Sequence, residues 1–177
     1  NAVEKFQIDL NDKICVDFGA STGGFTEVLL KNNAKHVYCI DVGRGQLNWK
    51  LTTNNKVTVL DKTNARYVDL EKIDKNIQII TCDLSFISIK KALSKIIEFK
   101  KRNIELVALI KPQFELSKEK IGKNGIVTDG KYRNEAVEEI SDWLASKNWK
   151  VINIIESCIT GTKGNHEYFI YSVKEEI

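Results

Sequence analysis

A glycine-rich turn between two apolar runs carries the first residues whose types and spacing could do chemistry. The first run ends in Asp17, the turn "GASTGG" occupies residues 19–24, and the second run ends in Asp41. Glycines allow a backbone to approach a ligand closely, and the helix after such a turn offers unpaired N–H groups. A carboxylate at the position of Asp41 can accept hydrogen bonds from ribose hydroxyls. The pattern predicts a cofactor that contains adenosine, either a dinucleotide or S-adenosylmethionine.

The charge of Asp17 favours S-adenosylmethionine. This carboxylate lies two residues before the first glycine, where it would repel a pyrophosphate but suits an ammonium and a sulfonium. A nicotinamide-dependent dehydrogenase of the short-chain type is the alternative, and it would need a Tyr-x-x-x-Lys pair. None of the five tyrosines has a lysine four residues later, and no G-x-G-x-x-G spacing is present. The sequence therefore disfavours the dehydrogenase.

Short apolar runs alternate with amphipathic stretches and predict the elements that must position these residues. The strand candidates are Lys13–Phe18, His36–Asp41, Lys56–Leu60, Ile77–Cys82, Ile104–Ile110, Lys150–Glu156 and Tyr168–Val173. The helix candidates are Thr22–Asn32, Gln46–Thr53, Ala65–Ile73, Ile87–Lys101 and Lys131–Ser146. This alternation predicts an α/β fold in which helices cover both faces of a mostly parallel sheet. The last two strands have no helix between them and should form an antiparallel hairpin.

The composition suits one globular domain. The 177 residues carry a net charge of +3 with an isoelectric point near 8.6, which permits a polyanionic partner without requiring one. No apolar run approaches the roughly 20 residues that cross a bilayer, and no signal-peptide pattern is present. The four cysteines form no Cys-x-x-Cys pair, and there are two histidines. We expect a cytoplasmic protein with reduced cysteines, no metal site and no membrane partner.

Seven sequence blocks in order resemble the TlyA family of FtsJ-like ribosomal RNA ribose 2′-O-methyltransferases, some of which carry the name haemolysin. They are "DFGASTGGFTEVLL", "DVGRGQLNWKL", "TNAR", "DLSFIS", "KPQFE", "GKNGIVTD" and "GTKGNHEYF". The resemblance covers nearly the whole chain. It implies a Rossmann-like methyltransferase sheet of about seven strands. It also implies transfer of a methyl group from S-adenosylmethionine to a ribose 2′-hydroxyl, of cytidine, in ribosomal RNA.

The haemolysin name raises a third interpretation, a membrane-active cytolysin. Such a protein would need amphipathic or apolar membrane segments. The apolar stretches of this chain are short and alternate with helical patterns, as in a packed sheet. The sequence therefore disfavours the cytolysin.

The resemblance also implies the catalytic residues. FtsJ-like enzymes use a Lys-Asp-Lys-Glu set, and three members match here by motif: Asp83 of "DLSFIS", Lys111 of "KPQFE" and Glu167 of "GNHEYF". Lys111 would activate and orient the 2′-hydroxyl. Asp83 would set the charge state of Lys111 and orient the cofactor, and Glu167 would position the lysine or the ribose. Each residue also has an alternative without a catalytic role. Asp83 could cap the end of its strand, Lys111 could be a surface lysine that contacts phosphate, and Glu167 could be a solvated charge of the hairpin.

The implied cofactor contacts lie at or shortly after the ends of the first four strands. Around the methionine moiety they are Asp17, Gly19, Ala20, Ser21, Thr22, Gly23 and Asp83. Around the ribose and adenine they are Asp41, Val42 and Asn64. Asn64 could instead be a helix cap.

Basic residues around the same rim are candidates for contacts with RNA phosphates. They are Lys118, Lys120, Lys123, Lys131, Arg133 and Lys163. Most belong to the longest irregular stretch, Lys111–Gly130, or follow it directly, and a loop of that length is typically functional or mobile.

The chain departs from the family at its start. The first lysine of the catalytic set belongs to a Ser-Arg-Gly-Gly-x-Lys-like segment that this sequence does not contain, and Lys5 does not align with it. Family members also carry a small N-terminal RNA-binding domain of the S4 type, which is absent here. We expect this chain to be a methyltransferase domain alone, which binds the cofactor but methylates RNA poorly.

Overall fold

One seven-stranded sheet forms the centre of the protein. The computed structural model describes residues 2–99 and 103–174. The strands are β1 (Ile14–Phe18), β2 (His36–Ile40), β3 (Val57–Leu60), β4 (Ile79–Cys82), β5 (Glu105–Ile110), β6 (Trp149–Glu156) and β7 (Tyr168–Lys174). Their order across the sheet is β3-β2-β1-β4-β5-β7-β6. Strands β1 to β5 pair in parallel, whereas β7 runs antiparallel to both β5 and β6. The predicted sheet and its antiparallel hairpin are confirmed.

In the part of the chain that the structure describes, six α-helices connect or flank the strands. They are α1 (Ala2–Phe6), α2 (Gly24–Lys31), α3 (Trp49–Thr52), α4 (Ile89–Ala92), α5 (Pro112–Glu115) and α6 (Gly130–Ser146). Short 3₁₀ turns lie between them at Ala65–Tyr67, Leu70–Lys72, Ile96–Glu98, Lys118–Lys120, Lys123–Gly125 and Thr162–Gly164. Helix α6 begins one residue before its predicted start, with the Asp129 side chain accepting the Lys131 N–H at 2.8 Å as an N-cap.

The predicted long helix Ile87–Lys101 is wrong in its extent. The chain forms only α4 and the 3₁₀ turn Ile96–Glu98 there, and the predicted end of the helix lies outside the described residues. Four isoleucines in this stretch, whose branched side chains fit a helix poorly, lower its helix propensity. These isoleucines pack against the sheet. This packing accounts for the apolar spacing that predicted a helix, although the chain forms no long helix here.

Both faces of the sheet are buried, because neighbouring strand residues point to opposite sides. In β1, Val16 belongs to the larger apolar cluster that also contains Trp149, whereas Cys15 belongs to the smaller cluster with Val107. Burial of both faces explains the near-continuous apolar runs of the sequence. No helix within residues 2–99 and 103–174 has the length and apolar character needed to span a membrane.

The sheet topology places the predicted site residues at one edge. From β1 the chain proceeds outward to β2 and β3, then crosses to β4 and β5 on the other side of β1. Ligands of such sheets bind at the carboxyl ends of the strands where this reversal occurs. Asp41, Asp83 and Lys111 directly follow β2, β4 and β5, and Glu167 directly precedes the antiparallel β7. All four therefore lie at the same edge of the sheet.

Candidate active site

The glycine turn after β1 packs against the end of β4. Gly19 has a left-handed φ of +81°, and a Cβ atom at this position would lie 2.1 Å from the backbone carbonyl oxygen of Asp83. No other residue could take this place without moving one of the two loops. The close approach brings the turn next to Asp83, so that the predicted cofactor and catalytic residues share one site.

Asp41 organises the same turn from the end of β2. Its Oδ2 atom accepts the Ser21 N–H at 2.8 Å, and its Oδ1 atom accepts the Gly43 N–H, also at 2.8 Å. Each carboxylate oxygen can accept a second hydrogen bond. Asp41 is half-buried, and the adjacent Val42 is 67% exposed. These residues fit the adenosine half of a cofactor, with acceptor capacity left for ribose hydroxyls and an exposed apolar side chain beside it.

Asp17 lies beneath the turn and is fully buried. Its two oxygens accept hydrogen bonds from the hydroxyls of Thr26, at 2.7 Å, and Thr81, at 2.9 Å. Burial raises the pKa of Asp17 to about 6, although both threonine hydrogen bonds act in the opposite direction. Both oxygens are thus bonded within the fold, and contact between Asp17 and a cofactor stays a prediction.

Asn64 is exposed, and its side-chain oxygen accepts the Arg66 N–H at 3.0 Å. It therefore caps the 3₁₀ turn Ala65–Tyr67, which is the alternative that the sequence left open. The cap leaves the side-chain NH₂ group for other partners. A contact from that group to adenine stays a prediction.

Lys111 and Asp83 form an ion pair at the centre of the edge. The Nζ atom of Lys111 lies 2.5 Å from Oδ1 of Asp83 and donates a hydrogen bond of 3.2 Å to Ser85 Oγ. Only 13% of the lysine side chain is exposed. Because β4 and β5 are neighbours in the sheet, their carboxyl ends hold the two charges together before any ligand binds.

Glu167 stands on the other side of this edge, at the start of β7. Its side chain is buried, and Oε1 accepts a hydrogen bond of 3.1 Å from the Gln113 amide. Burial raises the pKa of Glu167, whereas the Gln113 hydrogen bond and the positive charge of Lys111 lower it. Gln113 is not among the site residues that the sequence predicted. The only available signal was its place in "KPQFE", two residues after Lys111.

The segment that begins with "DLSFIS" is joined to "KPQFE" by three further contacts that were not predicted from the sequence. The Glu115 carboxylate accepts the Ser88 hydroxyl at 2.5 Å and the Ile89 N–H at 2.8 Å, which caps α4. The ring of Phe86 lies 5.2 Å from the ring of Phe114. Phe86 itself is 90% exposed and has a left-handed φ of +66°. The segment after Asp83 is thus fixed to the segment after Lys111 along its length.

A largely apolar cavity of about 350 Å³ adjoins the ion pair. Asp83, Lys111 and Glu167 are part of its lining, which continues over the apolar side chains of Phe25 and Phe169. Hydrogen bonds and charges act more strongly in such surroundings than in water. The site therefore combines an apolar wall with three convergent ionisable groups.

The basic rim comprises Lys118, Lys120, Lys123, Arg133 and Lys163. Three of its members contact other groups of the protein. Lys120 forms an ion pair with Glu135, Lys163 donates to the Asn124 carbonyl at 2.9 Å, and Arg133 donates to the carbonyls of Val127 and Thr128 at 3.2 and 3.0 Å. Contacts of this rim with RNA stay predictions, as do those of Lys131.

Within residues 2–99 and 103–174, no three histidine, cysteine, aspartate or glutamate side chains come together as a group that could hold a metal ion. The convergent groups of the site are two carboxylates and one lysine.

Comparisons with known proteins show the family of the chain. The sequence profile of the FtsJ-like methyltransferases matches residues 1–174. The chain belongs to the FtsJ-like methyltransferase family. It is 40% identical to the 16S/23S rRNA (cytidine-2′-O)-methyltransferase TlyA of Mycobacterium tuberculosis over 170 residues, which are 96% of this chain and 63% of that protein.

Two solved structures share the fold of this chain. A hemolysin candidate from Streptococcus thermophilus superposes with a TM-score of 0.94 at 35% identity, over 99% of this chain and 64% of the other. An S-adenosylmethionine-dependent methyltransferase from Mesorhizobium loti superposes with a TM-score of 0.69 at 10% identity, over 98% and 96% of the two chains. The second match shows the fold alone. The Rossmann-like methyltransferase fold and the membership in the FtsJ-like family are thus confirmed.

Proposed function

We propose that this protein transfers a methyl group from S-adenosylmethionine to a ribose 2′-hydroxyl of ribosomal RNA, at a cytidine. The Lys111–Asp83 ion pair beside the glycine turn is the observation that carries the proposal. The name of the Mycobacterium tuberculosis relative supports the substrate and the 2′-O position. Ribosomes are cytoplasmic, so we place the activity in the cytoplasm.

The glycine turn and Asp41 would hold the cofactor. Asp41 has acceptor capacity for the ribose hydroxyls, and Val42 offers an apolar surface to the adenine ring. Gly19 and Ala20, which directly follow β1, would lie along the methionine moiety with Ser21, Thr22 and Gly23. When bound, S-adenosylmethionine supplies an electrophilic methyl group on a sulfonium.

Lys111 would act on the ribose 2′-hydroxyl, which is a poor nucleophile near neutral pH. The Lys111 ammonium first releases a proton to solvent. The neutral Nζ atom then orients the hydroxyl and receives its proton as the new oxygen–carbon bond forms. Asp83 fixes Nζ at 2.5 Å and stabilises the positive charge that the proton brings. Glu167, at the other side of the edge, would position the ribose. In this account Lys111 is the base and Asp83 holds it in position. The apolar cavity limits competition from water.

The side chains of the basic rim would release their partners within the protein and bind RNA phosphate oxygens instead. Ion pairs that solvent reaches contribute little stability, and the Lys120 and Glu135 side chains are 34% and 32% exposed, so the exchange of Lys120 from Glu135 to a phosphate costs little. RNA binding by the rim would weaken as salt is raised.

The proposal is tested by single-turnover transfer of a labelled methyl group to ribosomal subunits, with the protein in excess so that slow transfer is detected. The methylated RNA is then hydrolysed in alkali. A 2′-O-methyl group blocks cleavage at its own ribose, so we expect the label in an alkali-resistant dinucleotide. Label released in mononucleotides would place the methyl group on a base and refute the 2′-O assignment.

A second candidate function is the cytolysis implied by the hemolysin name of the Streptococcus thermophilus relative. Dye release from liposomes separates the two. We expect no release at protein concentrations that saturate the cofactor site. Release at nanomolar protein, without methyl transfer, would support the cytolysin.

A further inference from the structure

The two polar atoms of the Gln113 side chain differ in their hydrogen bonding. Its Nε2 atom donates to Oε1 of Glu167 at 3.1 Å. Its Oε1 atom is buried and has no hydrogen-bond partner among residues 2–99 and 103–174. A buried acceptor without a partner is rare in folded proteins and destabilises them. The amide at this position is therefore not explained by a gain in stability.

Gly161 also lies against the carboxylate of Glu167. A Cβ atom on Gly161 would lie 2.0 Å from Oε1 and 2.4 Å from Cδ of Glu167. The carboxylate therefore packs against the backbone of the β6–β7 loop and also accepts the Gln113 amide. Each removes a direction in which the side chain could turn.

We propose that Gln113 is a positioning residue whose amide fixes the orientation and the charge state of the Glu167 carboxylate. The inference rests on the proposed function, because it assigns a role beside the Lys111–Asp83 pair. Gln113 follows Lys111 by two residues, in α5. The same short helix thus carries the lysine at its N-cap and the support for the glutamate on β7.

The charged groups around Glu167 make its protonation sensitive to this contact. Lys111 at the end of β5 favours the charged form, whereas Asp83 at the end of β4 disfavours it, as does burial. The Gln113 amide donates to the charged form and so favours it. Loss of this donor should move the titration of Glu167 to higher pH.

Gln113→Leu separates a positioning role from a structural one. Leucine has a similar size, cannot donate, and removes the unpaired acceptor. A structural role predicts a loss of thermal stability in this variant. The positioning role predicts a melting temperature that is unchanged or higher at acidic pH, where Glu167 is protonated and the buried unpaired oxygen is gone. Near neutral pH it predicts a lower melting temperature, because the charged carboxylate has lost its donor, whereas a structural role lowers the melting temperature at every pH.

The first readout needs no methyl donor and no RNA. The protein is labelled with ¹³C at glutamate carboxyl carbons, and the Glu167 signal is assigned with Glu167→Gln. We expect the Glu167 carboxyl to titrate at higher pH in Gln113→Leu than in the wild type. Gln7→Leu, at an exposed glutamine, is the matched control and should leave the titration unchanged. An unchanged Glu167 titration in Gln113→Leu would overturn the inference.

The second readout is the single-turnover methyl transfer. We expect Gln113→Leu to lower the rate about five- to tenfold, the effect of one lost hydrogen bond, with the affinity for S-adenosylmethionine unchanged within about twofold. A wild type that transfers no methyl group would refute the proposed function, whereas the carboxyl titration would still decide the role of Gln113. A variant that loses stability and keeps its titration would show Gln113 to be structural.

Discussion

The ionisable cluster at the sheet edge and the basic rim differ in how their charges are held. In the cluster, Asp83, Lys111 and Glu167 come from three strand ends, and each contacts a group on another element. In the rim, Lys120, Arg133 and Lys163 contact groups on the neighbouring loops and on α6. The cluster is therefore arranged by the sheet, whereas the rim is arranged by loops.

This difference teaches which residues can do chemistry and which can adapt. A group that reacts must be held within a fraction of an ångström of its place, which neighbouring strands achieve. A group that binds phosphate needs only reach and charge, which a loop lysine supplies after giving up a weak internal contact. Substitutions in the cluster should therefore change rates, and substitutions in the rim should change RNA affinity.

Lys111→Ala should have the largest effect. Loss of the proposed base should lower the rate of methyl transfer about 10²- to 10⁴-fold, while the affinity for S-adenosylmethionine changes little. Single-turnover rates and calorimetric titration measure the two quantities. Lys118→Ala, in the rim, should leave the rate at saturating RNA unchanged. Equal losses of rate in both variants would break the distinction between cluster and rim.

Asp17→Asn should have the next largest effect, on stability. Because burial raises the pKa of Asp17 to about 6, the folded state holds this proton more tightly than the unfolded state does. The contribution of Asp17 to stability therefore falls as the pH rises from about 4 to about 6, by roughly 3 kcal/mol in total. The asparagine variant lacks this fall.

Urea unfolding at pH 4 and pH 7 measures this effect. The unfolding free energy of Asp17→Asn minus that of the wild type should become more positive at the higher pH. A difference that does not change with pH would show that the fold tolerates the charge of Asp17 without penalty.

Lys120→Ala and Lys163→Ala should have the smallest effects. Each should weaken binding of ribosomal RNA about threefold and reduce the slope of log affinity against log salt by about one. Filter binding at several salt concentrations measures both quantities. Glu138→Ala, at an exposed carboxylate of α6, is the control. If the slope of log affinity against log salt is unchanged in both variants, Lys120 and Lys163 do not contact RNA phosphates and make only their contacts within the protein.

The sequence predicted the strands and the residues at their ends, because apolar runs and the positions that follow them depend on local order along the chain. Asp83 and Lys111 could be assigned to neighbouring strand ends for this reason. The contacts of Gln113 and Glu115 could not be predicted. They join residues distant in sequence, and their geometry depends on how α5 and the loop after β4 pack.

The same limit applies to the rim and to the predicted helix at Ile87. Charge alone indicated phosphate contacts, whereas the structure pairs Lys120 with Glu135 of α6. Apolar spacing alone indicated a long helix, whereas tertiary packing accommodates the isoleucines in α4 and a 3₁₀ turn. Periodicity and charge in the sequence predict whether a side chain is buried or exposed. The contacts that it makes depend on the packing of the elements around it.

Calorimetric titration of the protein with S-adenosylmethionine and, separately, with NAD tests the central claim most directly. The account predicts one S-adenosylmethionine bound per chain, no binding of NAD, and affinity reduced at least tenfold in Asp41→Ala, because the turn loses two charge-assisted hydrogen bonds. Binding of NAD alone, or an Asp41→Ala variant that binds S-adenosylmethionine as tightly as the wild type, would contradict it.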